Sequence, residues 1–225
     1  MKKYLQSLNI DFNNLLGLGG KPFIPSTVFK YLIERDYTAI KRYLNKWGIT
    51  VSFNTDKKLR KRDVVISGEY DCEKDKVVIF ITTNRGMCYV NYNLYKRVKT
   101  VSEIIITIMH ELIHRKQFEY RGTLNDKHYL FQRTGDPKMD EEYEYLSDTD
   151  EVPAFAHCVY TELKMQCPDQ PIRKLLRNKR VKSGVLEMYK SMYKSNSDTM
   201  VELYRALMRW ERLYNEYYSR IKKPC

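Results

Sequence analysis

The sequence predicts an α+β fold: a small N-terminal sheet, a helix carrying His110-Glu111-Leu112-Ile113-His114, and a mostly helical C-terminal half. Three observations predict it. Residues 49–54, 64–70 and 76–83 are strand-length runs rich in β-branched and aromatic types. Residues 102–120 carry apolar side chains at helical spacing. From about residue 148 onward the apolar residues keep helical spacing and no further strand signal occurs.

Each element has a local reason. Leu5, Leu8, Phe12, Leu15 and Leu16 predict a helix over residues 4–16, ended by Gly17, Gly19 and Gly20. Ser26 is an N-cap type ahead of a helix to about residue 35. A second helix spans about 37–47, and Gly48 stops it. Residues 49–54 alternate as a half-buried strand does. Lys57, Lys58, Arg60, Lys61 and Arg62 form a basic loop. Residues 64–70 and 76–83 read as paired strands across a polar turn at 71–75.

Thr100 and Glu103 fit a capping box, which would start the central helix near residue 102. Ile104, Ile105, Ile108, Leu112 and Ile113 supply its buried face. Residues 122–142 look irregular, and Asp140 to Asp150 is strongly acidic, either a metal-site flank or a solvated loop. That helix starts near 148–153, capped by Thr149 or Asp150, with Pro153 in its first turn, and runs to about Met165. Helices over about 171–178, 182–194 and 198–222 complete the chain. The last should align Leu203, Leu207, Trp210, Leu213, Tyr214 and Tyr217 on one face.

The chemistry concentrates at His110, Glu111 and His114. Positions i and i+4 of a helix lie on one face, so both imidazoles can hold one metal ion. Glu111, beside the first histidine, can take a proton from water as a general base. Zinc suits such nitrogen ligands joined by a carboxylate, with one position left open.

The H-E-x-x-H helix resembles the active-site helix of zincin metallopeptidases, and the resemblance extends more weakly to residues 64–165. It implies a zinc peptidase acting on a protein or peptide, with a sheet edge lining the cleft and pairing with an extended substrate. The strand from Lys76, or one around residues 89–92, would be that edge. A third protein ligand is also implied. A histidine six residues after His114 is excluded, because Tyr120 stands there. Glu151 is the chosen ligand: Glu151-Val152-Pro153-Ala154 is similar to the E-x-x-A pattern of glutamate-type zincins, where the small alanine lets two helices approach. Asp126, His128, Asp150 and His157 are its rivals. His157, Tyr143, Tyr145 and Tyr120 are candidate donors to a developing oxyanion.

Organisation and setting complete the expectation. Residues 1–48 read as a helical N-terminal segment, 49–166 as the zincin-like core, and 167–225 as a basic helical extension. A net charge of +12 favours acidic partners, nucleic acid among them, through Lys57–Arg62 and Arg173–Lys182. A catalytically inert zincin-like binding protein, associated with nucleic acid or a virion, is the competing reading. The five cysteines include no C-x-x-C pair, and no leader or membrane-spanning run is evident, which points to a reduced, cytoplasmic protein. The abundance of Tyr, Lys, Asn and Met resembles phage and viral products, extending that setting to a host cytoplasm or a virion.

Overall fold

A three-stranded sheet and the helix that follows it organise the first half of the chain, and a helical cluster the second. In this computed structural model the described residues are 25–34, 36–60, 63–86, 94–122 and 136–221. The expected helix over 4–16 lies outside them. The fold is α+β, as the sequence predicts, and the chain divides into two compact units, Met1–Glu119 and Tyr120–Cys225.

In the first unit, α1 (Pro25–Glu34) packs on α2 (Tyr37–Asn45), and α2 packs on β1 (Ile49–Thr55). Asp36 caps α2 by accepting from the Ala39 N–H at 2.8 Å. Helix α1 begins at Pro25, so Ser26 sits inside its first turn rather than capping it. Proline is well suited to that first position, since its fixed φ is already helical. Gly48, at φ 72°, turns the chain from α2 into β1.

The sheet order is β1-β3-β2, with β2 at Val64–Asp71 and β3 at Lys76–Thr83. β2 and β3 form the expected antiparallel hairpin, while β1 joins β3 in parallel. Val77, Ile79, Ile81 and Thr83 alternate inward along β3 and are buried. The strand from Lys76 is therefore central, not the edge that would line a cleft. Its run of β-branched and aromatic residues from Val77 to Thr83 suits a strand at the centre of the sheet. Residues 89–92, the other edge candidate, lie outside the described residues.

Helix α3 (Leu94–Arg121) carries the H-E-x-x-H pentapeptide. It begins at Leu94, well before residue 102, so Thr100 is a buried interior residue and not a cap. Val98 and Val101 extend the spacing of Ile105 and Ile108 backwards, and nothing between them breaks a helix. Glu103 pairs with Lys99 one turn back, at 3.4 Å, instead of closing a capping box. Ile104, Ile105, Ile108, Leu112 and Ile113 are all buried, as their spacing predicts.

In the second unit, α5 (Glu151–Gln166) is the hub. On it pack α4 (Pro137–Ser147), α6 (Ile172–Arg177), α7 (Gly184–Met192) and α8 (Asp198–Ile221). Burial on all sides explains why α5 is apolar nearly all round. Part of the stretch expected to be irregular is helical: Asp136 accepts from the Lys138 N–H at 3.1 Å, and Pro137 opens α4. The acidic run from Asp140 is thus largely a helix face, not a loop.

Helix α8 buries Met200, Leu203, Ala206, Leu207 and Tyr214. Leu213, expected on the same face, is 44 % exposed, because the stripe that meets α5 follows Met200, Leu203, Leu207 and Tyr214 and leaves it on the rim. The indole N–H of Trp210 donates to the Pro153 carbonyl at 2.9 Å, locking α8 to the first turns of α5. Among the described residues no helix is long and apolar enough to cross a membrane. Among the described residues Cys72, Cys158 and Cys167 form no disulfide.

Candidate metal centre

Helical spacing turns His110 and His114 onto one face of α3, and both are at least nine-tenths buried. Their Nε2 atoms stand 3.0 Å apart, with the rings edge to face. The Nδ1 of His114 donates to Gln117 Oε1 at 2.8 Å, which leaves its Nε2 lone pair directed at His110. This is the tautomer a metal ligand needs, fixed by a partner one helical turn away.

Glu111 is buried beside them, and its surroundings come from the sheet. Gly68 of β2 faces it so closely that a Cβ on residue 68 would lie 2.7 Å from Glu111 Cγ and 2.8 Å from its Oε1. The same Cβ would lie 2.8 Å from Thr107 Cγ2. Further contacts join β2 and its hairpin turn to α3. Tyr70 packs against Phe118, with ring centroids 6.0 Å apart. Arg115 donates to Asp75 Oδ2 at 2.6 Å in the turn, where Asp75 itself takes a φ of 48°. Tyr70 donates to Asp75 as well, and burial together with that carboxylate pushes its phenol up to about 12. Among the described residues β2, not β3, is the strand at the edge of the sheet beside Glu111.

Glu151 opens α5 in the second unit and is half-buried. The residue before it, Asp150, is ion-paired with Arg121, the last residue of α3. His110, His114 and Glu151 each offer one ligand atom, and the three atoms lie within 4.8 Å of one another. Two nitrogens and one carboxylate oxygen are a donor set that zinc accepts, and the 3.0 Å between the imidazole nitrogens is within the span of two ligands at about 2.0–2.1 Å. The residues present fit the ion.

The other described candidates make contacts of their own. His157 is fully buried, its Nε2 is 2.8 Å from the Tyr214 hydroxyl, and its ring packs edge-on to Trp210. Tyr143 donates to the Met192 carbonyl at 2.7 Å, between α4 and α7. Tyr145 is 52 % exposed and meets Phe155. Tyr120 is almost wholly exposed. Asp126 and His128 lie outside the described residues.

Gly68, Gln117 and Arg121 are residues that sequence reasoning misses. A glycine inside a strand is a known mark of close backbone approach, so Gly68 carried a signal. Gln117 stands three residues after His114, a distance at which helix side chains meet. Arg121 had no signal, because its partner is remote in sequence. Comparison with protein-family models, curated proteins and solved structures finds no match to the chain.

Proposed function

We propose that this protein is a zinc-dependent metallopeptidase, with His110, His114 and Glu151 as metal ligands and Glu111 as general base. The observation that carries the reading is the convergence of the three donor atoms within 4.8 Å, next to a buried glutamate that a metal cage alone would not require.

When bound, zinc would supply a Lewis acid that acidifies water and polarises a carbonyl. Glu111 then accepts a proton from the attacking water as the new O–C bond forms at the scissile carbonyl. The same carboxyl returns that proton to the amide nitrogen as the C–N bond breaks, so the amine leaves neutral. Gln117 holds His114 in its ligating tautomer throughout. Gly68, by having no side chain, leaves Glu111 room beside the strand. Among the described residues β2 pairs on one side only, with β3, so an extended peptide can add to its other side next to Glu111. A reducing cytoplasm is the setting that cysteines outside disulfides suit.

The test has two steps. Elemental analysis of the purified chain should find about one zinc per protein, absent from His114→Ala. Peptide-library hydrolysis by the wild type should then fall by at least about 10²-fold in Glu111→Gln, with zinc retained. A zinc-loaded Glu111→Gln variant that cleaves as well as the wild type would sink the mechanism.

A further inference from the structure

A basic surface in the second unit has no part in the proposed chemistry. Arg173, Lys174 and Arg177 lie on α6, and Lys179, Arg180 and Lys182 on the loop that follows; all six are exposed. No acidic residue interrupts the stretch from 173 to 182. The ion pairs among the described residues of this unit join Arg121 to Asp150, Lys190 to Glu187, Arg205 and Arg209 to Glu202, and Arg212 to Glu216. None of the six cations is in them. Glu187, held down chiefly by Lys190, feels Lys182 only at longer range.

The backbone that presents these charges is tied down. Ile172 and Leu175 are buried under α6, and the Ile172 N–H donates to Glu211 Oε1 at 2.7 Å. In the loop, Arg180 N–H donates to Asn178 Oδ1 at 3.0 Å. Gln166 grips Lys182 from both sides, donating to its carbonyl at 2.6 Å and accepting from its N–H at 3.3 Å. Six like charges so arranged repel one another, a cost that a polyanion removes.

We infer that this surface binds the phosphate backbone of double-stranded nucleic acid, without reading sequence. What the surface lacks selects that partner. It has no aromatic residue, so it offers no platform on which single-stranded bases could stack. None of its apolar side chains is exposed: Ile172 and Leu175 are buried, Leu176 and Val181 half-buried. It therefore has neither the exposed apolar centre of a protein interface nor the apolar face that inserts into a lipid surface. What is left is an array of Arg and Lys donors on a tied-down backbone, the chemistry that positions proteins on phosphates. The inference stands within the second unit and is independent of the peptidase reading.

The experiment is fluorescence anisotropy of a labelled mixed-sequence DNA duplex titrated with the full chain over a series of salt concentrations. The comparison is the variant Arg177→Gln, Lys179→Gln, Arg180→Gln, whose changes touch exposed side chains only. Log affinity should fall linearly with log salt for the wild type. In the variant, affinity at low salt should drop more than ~10-fold and the slope should lessen by about 2.7, roughly 0.9 for each cation removed from a phosphate. Circular dichroism should show the variant folded. Equal duplex affinity for wild type and folded variant would overturn the inference. So would tighter binding to the single strand, or binding to phosphatidylserine vesicles but not to the duplex.

Discussion

Gly68 and Glu111 touch: the strand and the helix approach so closely that a single methyl group on residue 68 would stand 2.7 Å from the glutamate side chain. The contact makes the position of Glu111, the proposed general base, depend on a residue with no side chain of its own. Gly68→Ala should therefore displace Glu111 while leaving both histidines able to bind metal. We expect hydrolysis reduced by about 10²-fold, the cost of an ångström-scale misplacement, with zinc content near that of the wild type. Overpacking should also lower stability by about 1–3 kcal/mol, visible in thermal denaturation. Undiminished turnover in Gly68→Ala would show that Glu111 does not depend on this approach.

In the proposed site Gln117 would act on the metal through His114. Its Oε1 accepts the Nδ1 proton at 2.8 Å, so removing it lets the ring rotate or change tautomer. Gln117→Ala should weaken zinc binding about 10–100-fold in a chelator competition, while Gln117→Glu, which keeps the acceptor, should restore most of the affinity. If zinc affinity is unchanged in the alanine variant, the hydrogen bond to His114 has no role in holding the ion.

Glu151 and His157 share one helix and should give opposite phenotypes. Glu151→Ala should lose zinc, since it removes the carboxylate among the three converging donors. His157→Phe should keep zinc but lower the melting temperature, because it leaves the buried Tyr214 hydroxyl without its 2.8 Å partner, at about 1–3 kcal/mol. Zinc titration and calorimetry on the two variants separate ligand from core residue. Zinc loss in His157→Phe with unchanged stability would reverse the assignment.

Glu162 should make stability depend on pH. Burial raises its carboxyl above the ordinary value near 4.5, even though Ser183 and the backbone of residues 184 and 185 donate to it and pull the other way. A group raised in the folded state contributes stability that is complete below the unfolded value and is lost as pH rises through the folded one. Glu162→Gln keeps an acceptor and removes the titration. The variant should thus gain on the wild type as pH climbs above about 4.5, in melting temperatures measured across pH. A difference between the two that stays constant with pH would contradict this.

Much of the architecture was legible because it follows from short-range rules. The alternation in residues 49–54, the β-branched and aromatic run in 76–83, the glycine after α2 and the stripe on the last helix each reflect a local periodicity, a strand propensity or a φ preference. Expectations fail where a local signal has a stronger competitor. Thr100 and Glu103 spell a cap, yet the helix runs through them because the preceding residues are good helix formers. Residues 122–142 read as irregular, yet Asp136 and Pro137 start a helix that runs from Pro137 to Ser147.

At the site the division is the same. His110, Glu111 and His114 are set by the sequence, since i and i+4 share a helix face wherever the helix lies. Three things depended on tertiary structure, because pairing and packing between remote segments have no local period. One is the strand order β1-β3-β2, which puts β2 rather than β3 at the edge. Another is the approach of Gly68 to Glu111. The last is the convergence of Glu151 on the two histidines, which a motif could suggest but only folding brings within 4.8 Å.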